Sequence, residues 1–260
     1  MGRPTVLTIA GFDPTGGAGI LADVKTIGAS RCYGVAVITA VTIQNTQGVQ
    51  RTHPVPDEWL DSQIDALLQD VEVGAVKVGM LGTARAIDVV ARAARTHVLP
   101  HLVLDPVLRA SRGGELLESN AIDRLRTGLF PLAELVTPNL EEAARLTGRA
   151  VEDIEGMKQA ARGIHASGAR GVLITGGHLA GSAVDVGFDG RDLALFDAPR
   201  VEAPPVHGLG CALSTAVACG LARGLPLFDA IEEAKRYVSH LLTRWLRVGK
   251  GSVVADHLAR

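Results

Sequence analysis

Residues Thr5 to Thr42, TVLTIAGFDPTGGAGILADVKTIGASRCYGVAVITAVT, decide the fold. A β-branched run, Thr5 to Ala10, ends in a glycine loop. A helix is predicted from Ala18 to Ala29, and a second apolar run follows from Gly34 to Thr42. Neither run alternates apolar with polar residues, so each reads as a strand buried on both faces. Two such strands joined through a helix form a parallel pair, because a parallel connection needs a long crossover.

The rest of the chain repeats this alternation. Pro56 at N1, followed by Asp57 and Glu58, opens a predicted helix to about Leu68, with the acids on the positive end of its dipole. Val76 to Val78 is a strand, Thr83 to Ala94 a helix, and His101 to Leu104 a strand ending at Asp105-Pro106. Further helices are predicted at Ala121–Leu129, Val151–Ala166, Leu209–Ala222 and Leu227–Leu242. Short strands fall at Leu135–Thr137 and Gly171–Thr175. Asp189-Gly190 signals a type I′ hairpin turn within Ala183–Phe196. The pattern implies an α/β fold, a mainly parallel sheet covered on both sides, in one domain. Ligands in such folds sit in the loops after the C-terminal strand ends.

Composition narrows the function. The chain has 260 residues, 47% of them hydrophobic and 21% charged, which excludes intrinsic disorder. Its net charge of −2 provides no overall cationic field for nucleic acid or an anionic membrane. Aromatic residues, at 3%, leave few stacking platforms for single strands. Cys32, Cys211 and Cys219 form no disulfide framework and no CxxC pair, which fits a reducing compartment. The N-terminal residues lack the apolar core and cleavage site of a signal peptide. The uncharged stretch Ala203–Ala222 holds two prolines, three glycines and His207, and so reads as a loop then a helix rather than a membrane span.

Six loops hold candidate chemistry. Gly11 to Ile20 lets backbone approach a ligand and opens a helix whose N-terminus attracts anions, although it matches neither the P-loop nor the GxGxxG pattern. Thr42 to Gln50 carries four amide side chains. Gln44 lies nearest the strand end, and its paired donor and acceptor suit an aminopyrimidine edge. Asn45, Gln47 and Gln50 read as solvated loop. Met80, in Gly79–Gly82, and Val107, in Asp105–Val107, either wall an apolar pocket or sit in ordinary core. Asp105, an acid at a strand end, needs a partner or a cation. Asn139 and Glu142 form a capping pair for a helix beginning at Leu140, and the same unit can orient magnesium-bound water near phosphates.

The sharpest loop is His207-Gly208-Leu209-Gly210-Cys211-Ala212-Leu213-Ser214. The amides of Leu209, Gly210 and Cys211 form a potential anion hole for a transferring phosphoryl group. Cys211 falls in the first helical turn, where the dipole favours thiolate. Cys219 and Cys32 read as buried packing residues. The eight histidines show no metal-binding spacing, and no GxSxG elbow supports a serine hydrolase.

Taken in order, TIAGFDPTGGAGILADVKT, VITAVTIQNTQGV, VKVGML, LDPV, TPNLEEA, GGH and HGLGCALS resemble the hydroxymethylpyrimidine/phosphomethylpyrimidine kinases of thiamine synthesis, members of the ribokinase-like superfamily. The resemblance runs from Thr5 to about His240. It implies a three-layer α/β/α sandwich and two ATP-dependent phosphorylations, of hydroxymethylpyrimidine and then of its monophosphate. It places Gln44, Gly11, Asp13, Met80 and Val107 around the pyrimidine. Cys211 takes the position of the basic Asp of other ribokinase-like enzymes, with Gly208, Leu209 and Gly210 completing the anion hole. Asp105 and Glu142 are implied to hold Mg²⁺. Asn139, Thr175, Gly177 and Lys235 are implied to lie near ATP. A cytoplasmic homodimer is implied as well.

Three residues depart from the family pattern. Phe12 replaces the serine of GSDPSGGAGI, Thr175 replaces the lysine of KGGH, and Leu209 replaces the threonine of GTGC. Phe12 motivates a pyridoxal-type alcohol as an alternative substrate. The lost lysine removes a point charge, which motivates a weakened pyrimidine-binding paralogue unless Arg109 or Arg112 compensates.

Overall fold

A computed structural model describes residues 2–109, 114–118, 121–177, 179 and 183–259. Arg112 and His178 lie outside the described residues. The opening unit is as expected: β1 (Thr5–Phe12), α1 (Gly19–Ala29) and β2 (Tyr33–Asn45), with β1 and β2 parallel. There follow β3 (Gly48–Pro54), α2 (Asp57–Leu68), β4 (Ala75–Val78), α3 (Ala84–Thr96), β5 (Leu102–Leu104) and a short α4 (Ile122–Arg124). Next come β6 (Leu135–Val136), α5 (Leu140–Thr147), α6 (Ile154–Ala166), β7 (Gly171–Ile174), β8 (Asp185–Phe188) and β9 (Leu193–Phe196). The chain closes with β10 (Val206–His207), α7 (Leu209–Ala222), α8 (Leu227–Thr243), β11 (Trp245–Leu246) and β12 (Val253–Ala255).

A nine-stranded sheet runs β3-β2-β1-β4-β5-β6-β7-β8-β9. Its centre, from β2 to β7, is parallel; β3 at one edge and β8 near the other run antiparallel to their inner neighbours. Strand period divides the core in two. Leu7 and Ile9, Val76 and Val78, and Leu102 and Leu104 face a core shared with α2, α3, α5 and α6. Val6, Ala75, Val103, Leu135 and Leu173 face the opposite core, under α1, α7 and α8. The result is a three-layer α/β/α sandwich. The strand order reverses direction at β1, whose neighbours are β2 and β4, so the crevice above its C-terminal end is the switch point where ligands bind in such sheets.

Several local expectations are corrected. Pro56 is the N-cap of α2 rather than its first residue. The Gln44–Gln50 segment is a hairpin between β2 and β3, with the Asn45 side chain accepting from Gln47 N at 2.8 Å. The second hairpin turn centres on Gly190-Arg191. Only Gly190 is left-handed (φ +94°), whereas type I′ needs two such residues, and Asp189 accepts from the amides of Arg191 and Asp192. The helix expected at Ala121–Leu129 widens after α4 into a π turn at Leu125–Leu129. A small sheet, β10-β12-β11, was not foreseen. Among the described residues no helix is long and apolar enough to cross a membrane.

Candidate active site

The site forms where the C-terminal ends of β1, β2, β4 and β5 meet the start of α7. The first loop folds around Asp13, whose carboxylate accepts from Thr15 N (2.8 Å), Thr15 Oγ1 (3.0 Å) and Ala18 N (3.1 Å). Glycine at position 19 is required, since its φ is +57° and a Cβ there would lie 2.3 Å from the Gly11 carbonyl oxygen. The loop also packs against the last one. Gly208 has φ +86°, and its missing Cβ leaves room for the Gly17 carbonyl 1.8 Å from where that atom would be.

Gly208 is the N-cap of α7 and supplies no side-chain cap. The amides of Leu209, Gly210 and Cys211 find no acceptor among the described residues. This is the free, positively polarised helix end that an anion hole needs. The Leu209 side chain packs against the cluster of Ala212, Leu241 and Ala255, so the departure from threonine costs a hydroxyl and leaves the backbone in place.

Gly11, Met80, Asp13 and Gln44, four of the five residues expected at the pyrimidine, come together here. Gly11 lies against Met80, whose sulfur is 2.9 Å from the position of a Gly11 Cβ. Gln44 and Asp13 are joined through His207, whose Nε2 is 2.9 Å from Asp13 Oδ2 and 3.3 Å from the Gln44 amide. Burial opposes the Asp13 charge, but the bonds from His207 and Thr15 outweigh it and hold the pKa below the ordinary carboxylate value. Val107 is half-buried beside Asp105, its amide bonded to the Asp105 carbonyl at 2.8 Å.

Under the start of α7 lies a set of buried charges. The Lys77 ammonium bonds both oxygens of Asp23, at 2.9 and 3.1 Å, and Asp23 also accepts from Thr8 (2.6 Å) and Thr215 (2.8 Å). The Cys211 thiol lies near Lys77, Asp105 and the Gly19 amide. Burial above all, with the Asp105 and Asp23 charges, raises that thiol to about 12 against the opposing pull of Lys77 and the Gly19 amide. Burial and the two carboxylates thus oppose the thiolate that the helix dipole was expected to favour.

Asp105 accepts from Ser214 Oγ at 3.3 Å, and burial raises its pKa. Asn139 and Glu142 form the expected reciprocal capping box, Asn139 N to Glu142 at 3.0 Å and Glu142 N to Asn139 at 2.9 Å. Glu142 is pushed up to about 8, first by burial and next by the Asp105 charge. Two buried acids that oppose each other's ionisation fit a divalent cation, which would relieve both. No group of three or more His, Cys, Asp or Glu that could hold a metal ion occurs among the described residues.

The residues expected at ATP fall into two groups. Thr175 bridges to Asn139, its amide donating to the Pro138 carbonyl at 3.0 Å. Gly177 is open around its Cα, and its carbonyl accepts from Arg200 at 3.0 Å. Lys235 is engaged elsewhere, with Asp185 and the Ala183 carbonyl, each at 2.7 Å, while Asp185 also accepts from Gly176 N. It thus braces the Thr175–Gly177 turn from beneath. Arg109 pairs with Glu141 at 2.9 Å and Glu115 at 3.6 Å. Lys77, Asp23, His207, Ser214 and Asp185 carried no expectation. Lys77 had a legible signal, since a lysine inside the apolar strand VKV must find an acid.

Comparison with known proteins places the chain in a family. The phosphomethylpyrimidine kinase family matches residues 13–256. A hydroxymethylpyrimidine/phosphomethylpyrimidine kinase of Streptomyces coelicolor is 44% identical over 98% of this chain and 94% of its own. A thiamine biosynthesis bifunctional protein ThiED of Geobacter sulfurreducens is also 44% identical over 98% of this chain, which spans about half (52%) of that protein's length. The crystal structure of an ADP complex of Bacillus subtilis pyridoxal kinase superposes with TM-score 0.90 at 32% identity, over 98% of this chain and 97% of the other. The fold is that of a small-molecule kinase. The chain belongs to the phosphomethylpyrimidine kinase family.

Proposed function

We propose that the protein transfers the γ-phosphoryl group of ATP to 4-amino-5-hydroxymethyl-2-methylpyrimidine, and then a second phosphoryl group to the resulting monophosphate. The observation that carries this reading is the uncapped start of α7, where free amides at Leu209–Cys211 adjoin the His207 that holds Gln44 and Asp13. The amides stabilise the migrating phosphoryl oxygens. Gln44, Gly11, Met80, Asp13 and Val107 hold the pyrimidine, so catalysis is mainly positioning and electrostatics. Asn139, Thr175 and Gly177 border the nucleotide, and Lys235 acts on that border through Asp185 and Gly176.

Glu142 and Asp105 would hold Mg²⁺, which supplies charge neutralisation at the phosphates. Cys211 gives its thiol proton to solvent before the alcohol docks, and the thiolate then takes the alcohol's proton as the oxygen attacks, returning to the neutral thiol. The Lys77 ammonium is the strongest charge acting on that sulfur and, with the Gly19 amide, favours the thiolate. A homodimer and a cytoplasmic setting belong to the same reading, and gel filtration tests the first.

A coupled ATP assay with the pyrimidine alcohol, its monophosphate, pyridoxal and pyridoxine is the deciding experiment. Turnover of both pyrimidines, reduced about 10²-fold or more by Cys211→Ala, is expected. Turnover of neither overturns the proposal. Phe12 and the pyridoxal kinase neighbour favour a second reading, in which pyridoxal is the better alcohol, and the same panel reports it.

A further inference from the structure

The hydrogen bonds around Gln44 conflict as they are drawn. His207 Nε2 faces an acceptor, Asp13 Oδ2 at 2.9 Å, and also the Gln44 Nε2 donor at 3.3 Å. One ring nitrogen cannot donate to the first and accept from the second. Thr42 Oγ1 likewise has one proton and two acceptors, the Phe12 carbonyl and Gln44 Oε1, each at 3.0 Å. Amide oxygen and nitrogen are assigned from the network around them.

Rotating the Gln44 amide by half a turn removes both conflicts. The proton on His207 Nε2, anchored by Asp13, is then shared with Gln44 Oε1. The Gln44 NH₂ donates to Thr42 Oγ1, and Thr42 donates to the Phe12 carbonyl. Every group in this chain is satisfied, and each amide atom keeps one bonding position free: a lone pair on oxygen and an N–H on nitrogen. That pair complements an aminopyrimidine edge, which offers an exocyclic N–H beside a ring nitrogen acceptor. In the opposite orientation Gln44 would place a donor against His207 Nε2–H.

We infer that His207 is a specificity-determining positioning residue: tethered by Asp13 and assisted by Thr42, it fixes the Gln44 amide in the one orientation that reads a 4-aminopyrimidine and rejects the 4-oxo isostere. The inference rests on the pyrimidine kinase reading above and adds to it the residue that sets the donor–acceptor order. His207 does this from the position preceding Gly208, so the same turn presents the phosphoryl-binding amides and orients the base-reading amide.

The test compares the 4-amino alcohol with its 4-oxo analogue, which carries the reversed pattern of C=O beside N–H. The ratio of kcat/KM for the two, and the ratio of their Kd values by calorimetry, is measured for wild type, His207→Phe, Thr42→Val and Thr42→Ser. A side chain without the donor or the acceptor frees the amide to turn. The wild-type preference for the amino compound is expected to fall tenfold or more in His207→Phe and in Thr42→Val, chiefly through KM and Kd, and to persist in Thr42→Ser. A purely structural role for His207 would depress turnover of both alcohols and leave the ratio in place. An unchanged ratio in both His207→Phe and Thr42→Val, with wild type active on the amino compound, overturns the inference. Absence of both binding and turnover of the amino compound by wild type overturns the parent reading and this one with it.

Discussion

Lys77 and Asp23 form an ion pair at 2.9 Å in which neither side chain has any solvent exposure. The pair ties β4 to α1, and Thr215 ties α7 to the same carboxylate. Removing one partner strands the other charge. Lys77→Met is therefore expected to lower the free energy of unfolding by about 3–5 kcal/mol. Adding Asp23→Leu to Lys77→Met is expected to recover part of that loss, because no charge is then left unpaired. Urea denaturation of the single and double variants measures both.

Gly208→Ala forces a methyl group toward the Gly17 carbonyl at a position with φ +86°. The turn must move, and the Leu209–Cys211 amides move with it. A drop in kcat of roughly 10² or more is expected, the size of effect seen when an oxyanion-stabilising donor is displaced. Gly28→Ala, in α1 with open space around it, is expected to add about 0.5–1 kcal/mol of stability instead. Thermal melts and single-turnover phosphoryl transfer separate the two outcomes.

His257 is buried near the C-terminus, with Nδ1 2.9 Å from the Tyr237 hydroxyl and 3.3 Å from Thr26 Oγ1. Burial, followed by the Lys25 charge, pulls its pKa down to about 4. The unfolded chain takes up this proton below about pH 6.5, and the folded chain only near pH 4. Its contribution to stability is whole above pH 6.5 and is lost as pH falls toward 4, up to about 3 kcal/mol in all. The melting temperature of His257→Gln is expected to fall less steeply across that window than that of wild type. Equal slopes would show that this histidine does not govern the acid response.

Thr175 stands beside Asn139 at the border proposed for ATP, where the family resemblance implies a lysine. Thr175→Lys supplies an ammonium group to the phosphates. A rise in kcat of about tenfold or more is expected in the coupled assay. An unchanged kcat would mean that another cation already serves the transition state.

The parallel core, both helical layers and the α7 boundaries were legible in the sequence, because long apolar periods and glycine punctuation act locally. The positions of Gln44 and of the Gly208–Cys211 turn were legible for the same reason, at the end of a strong strand and the start of a strong helix, whereas Asp13 was named only through the family resemblance. β3 was not, since GVQRTHP is an edge strand with no apolar alternation to mark it. The β10-β12-β11 sheet was missed because its strands are only two or three residues long. The protonation state of Cys211 escaped for a different reason: its position on the helix was readable, but the carboxylates near it come from distant strands and helices. Burial and distant charge, rather than the helix dipole, decide whether the sulfur is ionised.

The tip of the β2–β3 hairpin is held by the last part of the chain, where Ser252 N donates to the Thr46 carbonyl at 2.8 Å and Gly251 N to Thr46 Oγ1 at 3.1 Å. His207 meets Asp13 across 194 residues, and Gly251 meets Thr46 across 205. Both halves of the binding crevice are thus made at opposite ends of synthesis. A nascent chain can pair β1 with β2 early, yet the contacts that close the crevice wait until residues 207–252 have emerged. A stop codon placed between His207 and Gly251 would remove the clasp on the hairpin tip while leaving most of the sheet able to fold.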